Sequence, residues 1–390
     1  MTTKKEMDQK MKFGTKAIHA GVKPDPSTGA IMTPIFQTST YVQSAPGENK
    51  GYAYARSKNP TRDQLEASIA SLENARHGRC FASGMAATDS ILRLLKPGDE
   101  VLVSNDLYGG TYRLFSNLYE PFGLKFHYVD MTDLSSVEAA FNERVKMVWI
   151  ETPTNPMMTI LDLSRLAGLG KENNALVAVD NTFATPYLQN PLDLGADIVM
   201  HSVTKYIAGH SDVVMGAVVT NATELDQKIG FIQNSAGAIP GPNDCFLALR
   251  GIKTLHVRMD RHCANGKRIA YFLKSNPLVK HVYWPGFEEH PNHEIARKQM
   301  RDFGGMISFI LKNDSQEAAF EVLKKFKVFS LAESLGGVES LAGHPASMTH
   351  ASIPREERLK AGLTDSLIRL SVGIEDAEDL IEDLTQAIED

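Results

Sequence analysis

Short apolar runs recur along this chain at intervals long enough to hold a helix, and this alternation limits the fold more than any other feature of the sequence. Val101–Val103, Phe126–Val129, Met147–Ile150, Val177–Val179, Ile198–Met200 and Val213–Val214 read as buried strands, with a helical stretch such as Leu161 to Glu172 between neighbours. Parallel strands need a long crossover, usually a helix. The pattern therefore predicts an α/β fold with a mainly parallel sheet covered on both faces. Residues 1–60 are rich in Pro, Gly, Ser, Thr and Tyr and read as an irregular arm, after which Pro60 and Thr61 suit a helix start. The texture changes after Gly251. Thr254 to Leu273 is helical, Met306–Leu311 and Leu367–Val372 read as strands, and Gln316–Lys325 and Ala377–Ile388 read as helices. Three regions are expected: the arm (1–60), a large domain (61–255) and a smaller C-terminal α+β domain (256–390). No internal repeat or low-complexity segment is present.

In open α/β sheets ligands bind outside the carboxyl ends of the strands. Asp180 closes the run Leu176-Val177-Ala178-Val179, and Lys205 follows Ile198-Val199-Met200 within His201-Ser202-Val203-Thr204-Lys205-Tyr206. A lysine and an aspartate delivered there from separate strands suit pyridoxal phosphate (PLP). The lysine can form a Schiff base with its aldehyde, and the aspartate can hold the pyridine nitrogen protonated. A structural ion pair at a strand edge is the competing reading.

Phosphate has three candidate sources of hydrogen bonds. In Phe81-Ala82-Ser83-Gly84-Met85-Ala86-Ala87 a serine and a glycine lead into a helix, whose unpaired N–H groups and dipole favour an anion. The same serine reads equally well as an ordinary N-cap. Ser202 and Thr204 can point the same way because side chains alternate along an extended segment. Arg56 and Tyr54, in Tyr52-Ala53-Tyr54-Ala55-Arg56, offer charge-assisted and hydroxyl bonds from an arm able to reach a neighbouring subunit.

The chain carries 41 basic and 47 acidic side chains, a net charge of −6, which argues against a nucleic-acid or anionic-membrane partner. Cys80, Cys245 and Cys263 are too few and scattered for a disulfide framework or a cysteine-rich zinc site. The start, Thr2-Thr3-Lys4-Lys5-Glu6, lacks the apolar core of a signal peptide. No run of about eighteen apolar residues suggests a membrane span. A reducing cytoplasm is the expected location. His290-Pro291-Asn292-His293 has metal-pair spacing, but its proline disfavours a helical His-x-x-His face. No metal is expected. His201 and His210, which bracket the lysine, are expected to hydrogen-bond the scaffold.

The longer motifs carry a specific resemblance. Asp197-Ile198-Val199-Met200-His201-Ser202-Val203-Thr204-Lys205-Tyr206-Ile207-Ala208-Gly209-His210 resembles the cofactor-lysine motif of the PLP-dependent trans-sulfuration enzymes of Cys/Met metabolism. Val179-Asp180-Asn181-Thr182-Phe183-Ala184-Thr185-Pro186, Glu151-Thr152-Pro153-Thr154-Asn155-Pro156 and Ile368-Arg369-Leu370-Ser371-Val372-Gly373-Ile374-Glu375 resemble further family segments in the same order. The match runs from about Phe13 to the C-terminus.

That resemblance implies an aspartate-aminotransferase-like fold (PLP fold type I) and a homotetramer of two active dimers. It also implies residue roles. Lys205 is similar to the cofactor lysine and proton carrier, Asp180 to the residue on the pyridine nitrogen, and Tyr108 to the tyrosine stacked on the ring. Gly84, Met85, Ser202 and Thr204 match phosphate contacts from one subunit, and Tyr54 and Arg56 those from its partner. Arg369 resembles the substrate-carboxylate clamp, a task suited to its planar fork. Asn155 is expected at the cofactor's phenolic oxygen, and Ser334 is expected to orient lysine and substrate.

Two positions bear on substrate. Glu339 resembles the acid that receives the far amino-acid end of cystathionine in γ-lyases and γ-synthases. Gly110 stands where methionine γ-lyases typically carry cysteine. Ala53 departs from the family pattern, which often has an acid between the two tyrosines; its loss broadens the expected substrate range. The resemblance implies a carbon–sulfur lyase performing γ-elimination of cystathionine to cysteine, 2-oxobutanoate and ammonia. Cystathionine γ-synthase (O-acyl-homoserine plus cysteine) and cystathionine β-lyase (homocysteine, pyruvate, ammonia) remain open. A non-catalytic PLP-binding scaffold is the alternative from a different class.

Overall fold

The computed structural model describes residues 11–389. Residues 1–10, which include the polar start and the beginning of the expected arm, lie outside the described residues, as does residue 390. Seven strands form the larger sheet: β1 (His77–Phe81), β2 (Glu100–Ser104), β3 (Lys125–Val129), β4 (Val145–Glu151), β5 (Leu176–Asp180), β6 (Ile198–Ser202) and β7 (Gly216–Thr220). Their order is β1-β7-β6-β5-β4-β2-β3. The strands from β3 to β6 are parallel, and β7 runs antiparallel to both its neighbours. In β4, six of seven residues are buried because helices cover both faces, so the run is continuously apolar rather than alternating. Trp149 from β4 lies edge-on to Phe115, which stacks on Phe126, filling one such layer.

The helix Pro60–Leu72 begins where sequence punctuation places it. Asn59 accepts hydrogen bonds from the N–H groups of Thr61 and Arg62 at 2.9 and 3.4 Å, and proline occupies the first helical position, where it sacrifices no bond. Among the described residues of the expected arm stands one regular element, the helix Phe13–His19, whose buried Phe13 and Ala17 join the core cluster of Leu255 and Met259.

The second sheet comprises β8 (Val279–Tyr283), β9 (Met306–Leu311), β10 (Ser330–Leu331), β11 (Leu341–Gly343) and β12 (Ile368–Ser371), in the order β10-β11-β12-β9-β8. Only β10 and β11 pair in parallel. The helices Leu255–Ser275 and Ala377–Glu389 bury Ile269, Leu273, Leu380 and Leu384 in the core of this sheet. This arrangement is the α/β fold type I architecture, mostly parallel in its larger sheet. Among the described residues no helix is long and apolar enough to cross a membrane.

Several elements differ from the expectation, and β8, β10 and β11 lie outside the strands read from sequence. Val213–Val214 is not a strand. Val214 is 63 % exposed and lines a cavity, and β7 begins only at Gly216. β1, with the sequence His-Gly-Arg-Cys-Phe, carries no apolar run because its first half is only partly buried.

Candidate active site

The carboxyl ends of β4, β5 and β6 deliver Glu151, Asp180 and Ser202 to one cavity of about 740 Å³. Glu151 and Asp180 are register neighbours and both are buried. Burial raises the carboxyl pKa of each, and the nearby Asp180 charge raises that of Glu151 further. The turn after β6 adds Lys205, and the smaller sheet adds Arg369 from β12 and Ser334 from the loop between β10 and β11.

Lys205 Nζ donates to Ser334 Oγ at 3.0 Å. Burial first, and the Arg369 charge second, bring its amine down from an ordinary 10.5 to about 8. A sizeable neutral fraction therefore exists near physiological pH, as a proton-accepting lysine requires. Arg369 is itself buried. Its Nη1 donates to Asn155 Oδ1 at 2.8 Å and its Nη2 to the Ser334 carbonyl at 3.0 Å, and burial lowers it to about 10. Ser334 thus serves the lysine with its hydroxyl and the arginine with its carbonyl. It does so with φ of 134°, a backbone conformation rare for a residue with a side chain and characteristic of functional sites.

Tyr108 lines the cavity at 36 % exposure and caps the helix Gly109–Leu114. A Cβ placed on Gly110 would stand 2.3 Å from Tyr108 Cε1, so any other residue there would displace the ring. Glu339 also lines the cavity, and the Ser211 hydroxyl donates to its carboxylate.

The donor set fits PLP. Ser83 caps the helix Gly84–Leu92 by accepting from Ala86 N–H at 3.0 Å. The N–H groups of Gly84 and Met85, at the helix start, donate to nothing among the described residues. A Cβ at Gly84 would lie 3.0 Å from the Ser202 side chain, so glycine lets the helix start and Ser202 close on a common anion cradle. Thr204 also lines the cavity, with its hydroxyl held by the backbone N–H and carbonyl of Met215 at 2.9 and 3.2 Å. Buried Asp180, in the same cavity, suits a protonated ring nitrogen, and Lys205 suits an aldehyde.

The structure brings together eleven of the thirteen residues singled out from sequence: Lys205, Asp180, Tyr108, Gly84, Met85, Ser202, Thr204, Asn155, Arg369, Ser334 and Glu339. Tyr54 and Arg56 are not among the residues lining this cavity; the Arg56 guanidinium stands 5.6 Å over the Tyr54 ring on the arm. His201 and His210 serve the scaffold. The buried imidazole of His201 meets Glu73 at 2.6 Å, and His210 Nδ1 donates to the Ala208 carbonyl at 2.8 Å.

Sequence reasoning gave no role to Glu151, Thr182 or Glu333. Thr182 Oγ1 accepts from Ser202 N–H at 2.8 Å and so ties β6 to the turn after β5. Glu333 lines the cavity, and its charge acts on Lys205, Tyr108 and Arg369. The strand-end rule that singled out Asp180 applies equally to Glu151; nothing local marks Glu333.

The family model described as Cys/Met metabolism PLP-dependent enzyme matches residues 14–389. A cystathionine beta-lyase of Coxiella burnetii is 54 % identical over 383 residues, covering 98 % of this chain and 99 % of that one. A cystathionine gamma-lyase of Dictyostelium discoideum is 52 % identical, covering 97 % and 98 %. A solved cystathionine gamma synthase from Xanthomonas oryzae pv. oryzae, in complex with aminoacrylate and cysteine, superposes with a TM-score of 0.94 at 44 % identity, covering 97 % and 98 %.

Proposed function

From the premise that this chain belongs to the PLP-dependent enzymes of Cys/Met metabolism, we propose that it is a carbon–sulfur lyase that converts cystathionine and water to cysteine, 2-oxobutanoate and ammonia by γ-elimination. The observation that carries this reading is the charge layout of the cavity, where Arg369 and a largely desolvated Lys205 share the space with Glu333 and Glu339. Cystathionine has an α-carboxylate for the arginine and a distal ammonium for an acid.

When bound, PLP supplies an electrophilic aldehyde and an electron sink that eases loss of the α proton. The chain's own residues do the rest. Arg369, held at both ends of its fork by Asn155 and Ser334, receives the substrate α-carboxylate. Lys205 takes the proton from Cα and, for γ-elimination, moves a second from Cβ; its depressed pKa keeps it competent as a base. Asp180 would hold the ring nitrogen protonated, and Tyr108 would cover the ring and assist proton transfer. Gly84, Met85, Ser202 and Thr204 would hold the phosphate, and Asn155 would serve the phenolic oxygen. Tyr54 and Arg56 complete the phosphate site of a neighbouring copy within a homotetramer of two active dimers. Their position outside this chain's own cavity, on an arm that exposes Ile31 at 82 % and Val42 at 95 %, supports that arrangement.

Glu339 is the proposed contact for the distal ammonium. Glu339→Ala is expected to lower kcat/KM for cystathionine by about tenfold, the scale of one charge-assisted hydrogen bond, while a short γ-substituted substrate is affected much less. Equal losses on both substrates would remove the role and leave Glu333 as the acid in question.

The deciding experiment is product analysis of purified, PLP-loaded protein with cystathionine. Cysteine plus 2-oxobutanoate is the expected result. The 54 % identity to a protein named cystathionine beta-lyase favours β-elimination as the second reading, which homocysteine plus pyruvate would establish. With neither product, O-acyl-homoserine and cysteine become the substrates to test, and γ-synthase becomes the leading reading.

A further inference from the structure

Glu151 ends β4 beside Asp180, and each of its carboxylate oxygens takes a backbone N–H from a different loop. Oε2 accepts from Tyr108 N–H at 3.0 Å and Oε1 from Asn155 N–H at 2.9 Å. Those loops carry the ring-facing tyrosine and the side chain whose oxygen accepts from Arg369 Nη1 at 2.8 Å. A buried carboxylate beside another carboxylate is an unfavourable neighbour unless its hydrogen bonds offset that cost. We propose that Glu151 is a positioning residue of the reaction, bracing with one carboxylate the two loops that set the spacing between the ring site and the substrate-carboxylate clamp. The inference rests on the roles proposed above for Tyr108 and Arg369.

Two substitutions separate charge from reach. Glu151→Gln keeps the length but offers one acceptor oxygen, and its NH₂ group confronts one of the two N–H donors. Glu151→Asp keeps two acceptor oxygens but is a methylene too short to hold both loops. In the PLP-loaded holoenzyme each variant is expected to raise the KM for cystathionine by roughly ten- to a hundredfold, the scale of a lost hydrogen bond to a charged group. Each is also expected to reduce the visible circular dichroism of the bound cofactor, because Tyr108 no longer holds a fixed pose over it. A lower melting temperature with wild-type KM and dichroism would reduce Glu151 to a purely structural residue and overturn the proposal. If the glutamine variant does not fold, the aspartate variant decides on the same two readouts. Arg369→Lys, measured alongside, separates the clamp role from the bracing role. An unchanged KM there would sink the clamp assignment itself. A large effect there, with wild-type behaviour of the Glu151 variants, would sink only the bracing role.

Discussion

Lys205→Ala is expected to abolish turnover, by about 10³-fold or more, because the variant loses both the amine proposed to join the cofactor and the base proposed to move substrate protons. The visible absorbance band of the bound cofactor should disappear with it. An active variant with normal absorbance would overturn the central assignment. In the wild-type enzyme the same amine sets a sign for the pH dependence. The neutral form grows as pH rises through about 8, so activity should fall on the acid side of that value. A limb nearer the ordinary lysine value of 10.5 would mean that burial and Arg369 do not act on the working amine. The variant also tests the shared site. In the proposed dimer, mixing Lys205→Ala and Arg56→Ala subunits leaves one site with both residues intact, so partial activity should return. No recovery in verified mixed dimers would place Arg56 outside the neighbour's site.

Arg369→Leu is expected to lower kcat/KM by about 10²- to 10⁴-fold, corresponding to the ~3–5 kcal/mol typical of removing one partner from a buried charged arrangement. The loss has two physical parts. The substrate carboxylate loses its proposed cation, and Asn155 Oδ1 and the Ser334 carbonyl lose their donor inside the protein. The same substitution removes the positive charge that lowers the Lys205 pKa, so the acid limb should move to higher pH. Added guanidinium that restores rate but leaves the limb displaced would show that the two effects are separable. A kcat/KM within threefold of wild type would remove Arg369 from substrate binding.

Much of this site was legible because parallel strands end in a common layer. Asp180 could be placed from its position after Val179 alone, and Lys205 from its short distance past Met200, since strand ends in such a sheet face one crevice. Met306–Leu311 was readable for a related reason, as all six of its residues are buried and the run is uniformly apolar. Contacts between distant segments left no such trace. Glu333 reaches the cavity on the loop between β10 and β11, whose Ser334 meets Lys205 across 129 residues of sequence. β1 was hidden by its polar, partly exposed half. Val213–Val214 misled for the opposite reason, its apolar side chains serving the core and a cavity rather than a ladder. The split among elimination and replacement chemistries is similarly illegible, because these reactions share the lysine, the aspartate and the arginine.

The backbone at Ser334 has a further consequence. Its hydroxyl touches the amine of Lys205 and its carbonyl touches the guanidinium of Arg369, across a single residue held at an uncommon φ. A substitution that shifts Ser334 is therefore expected to disturb the lysine contact and the arginine contact together, two long-range links that hang on one backbone position.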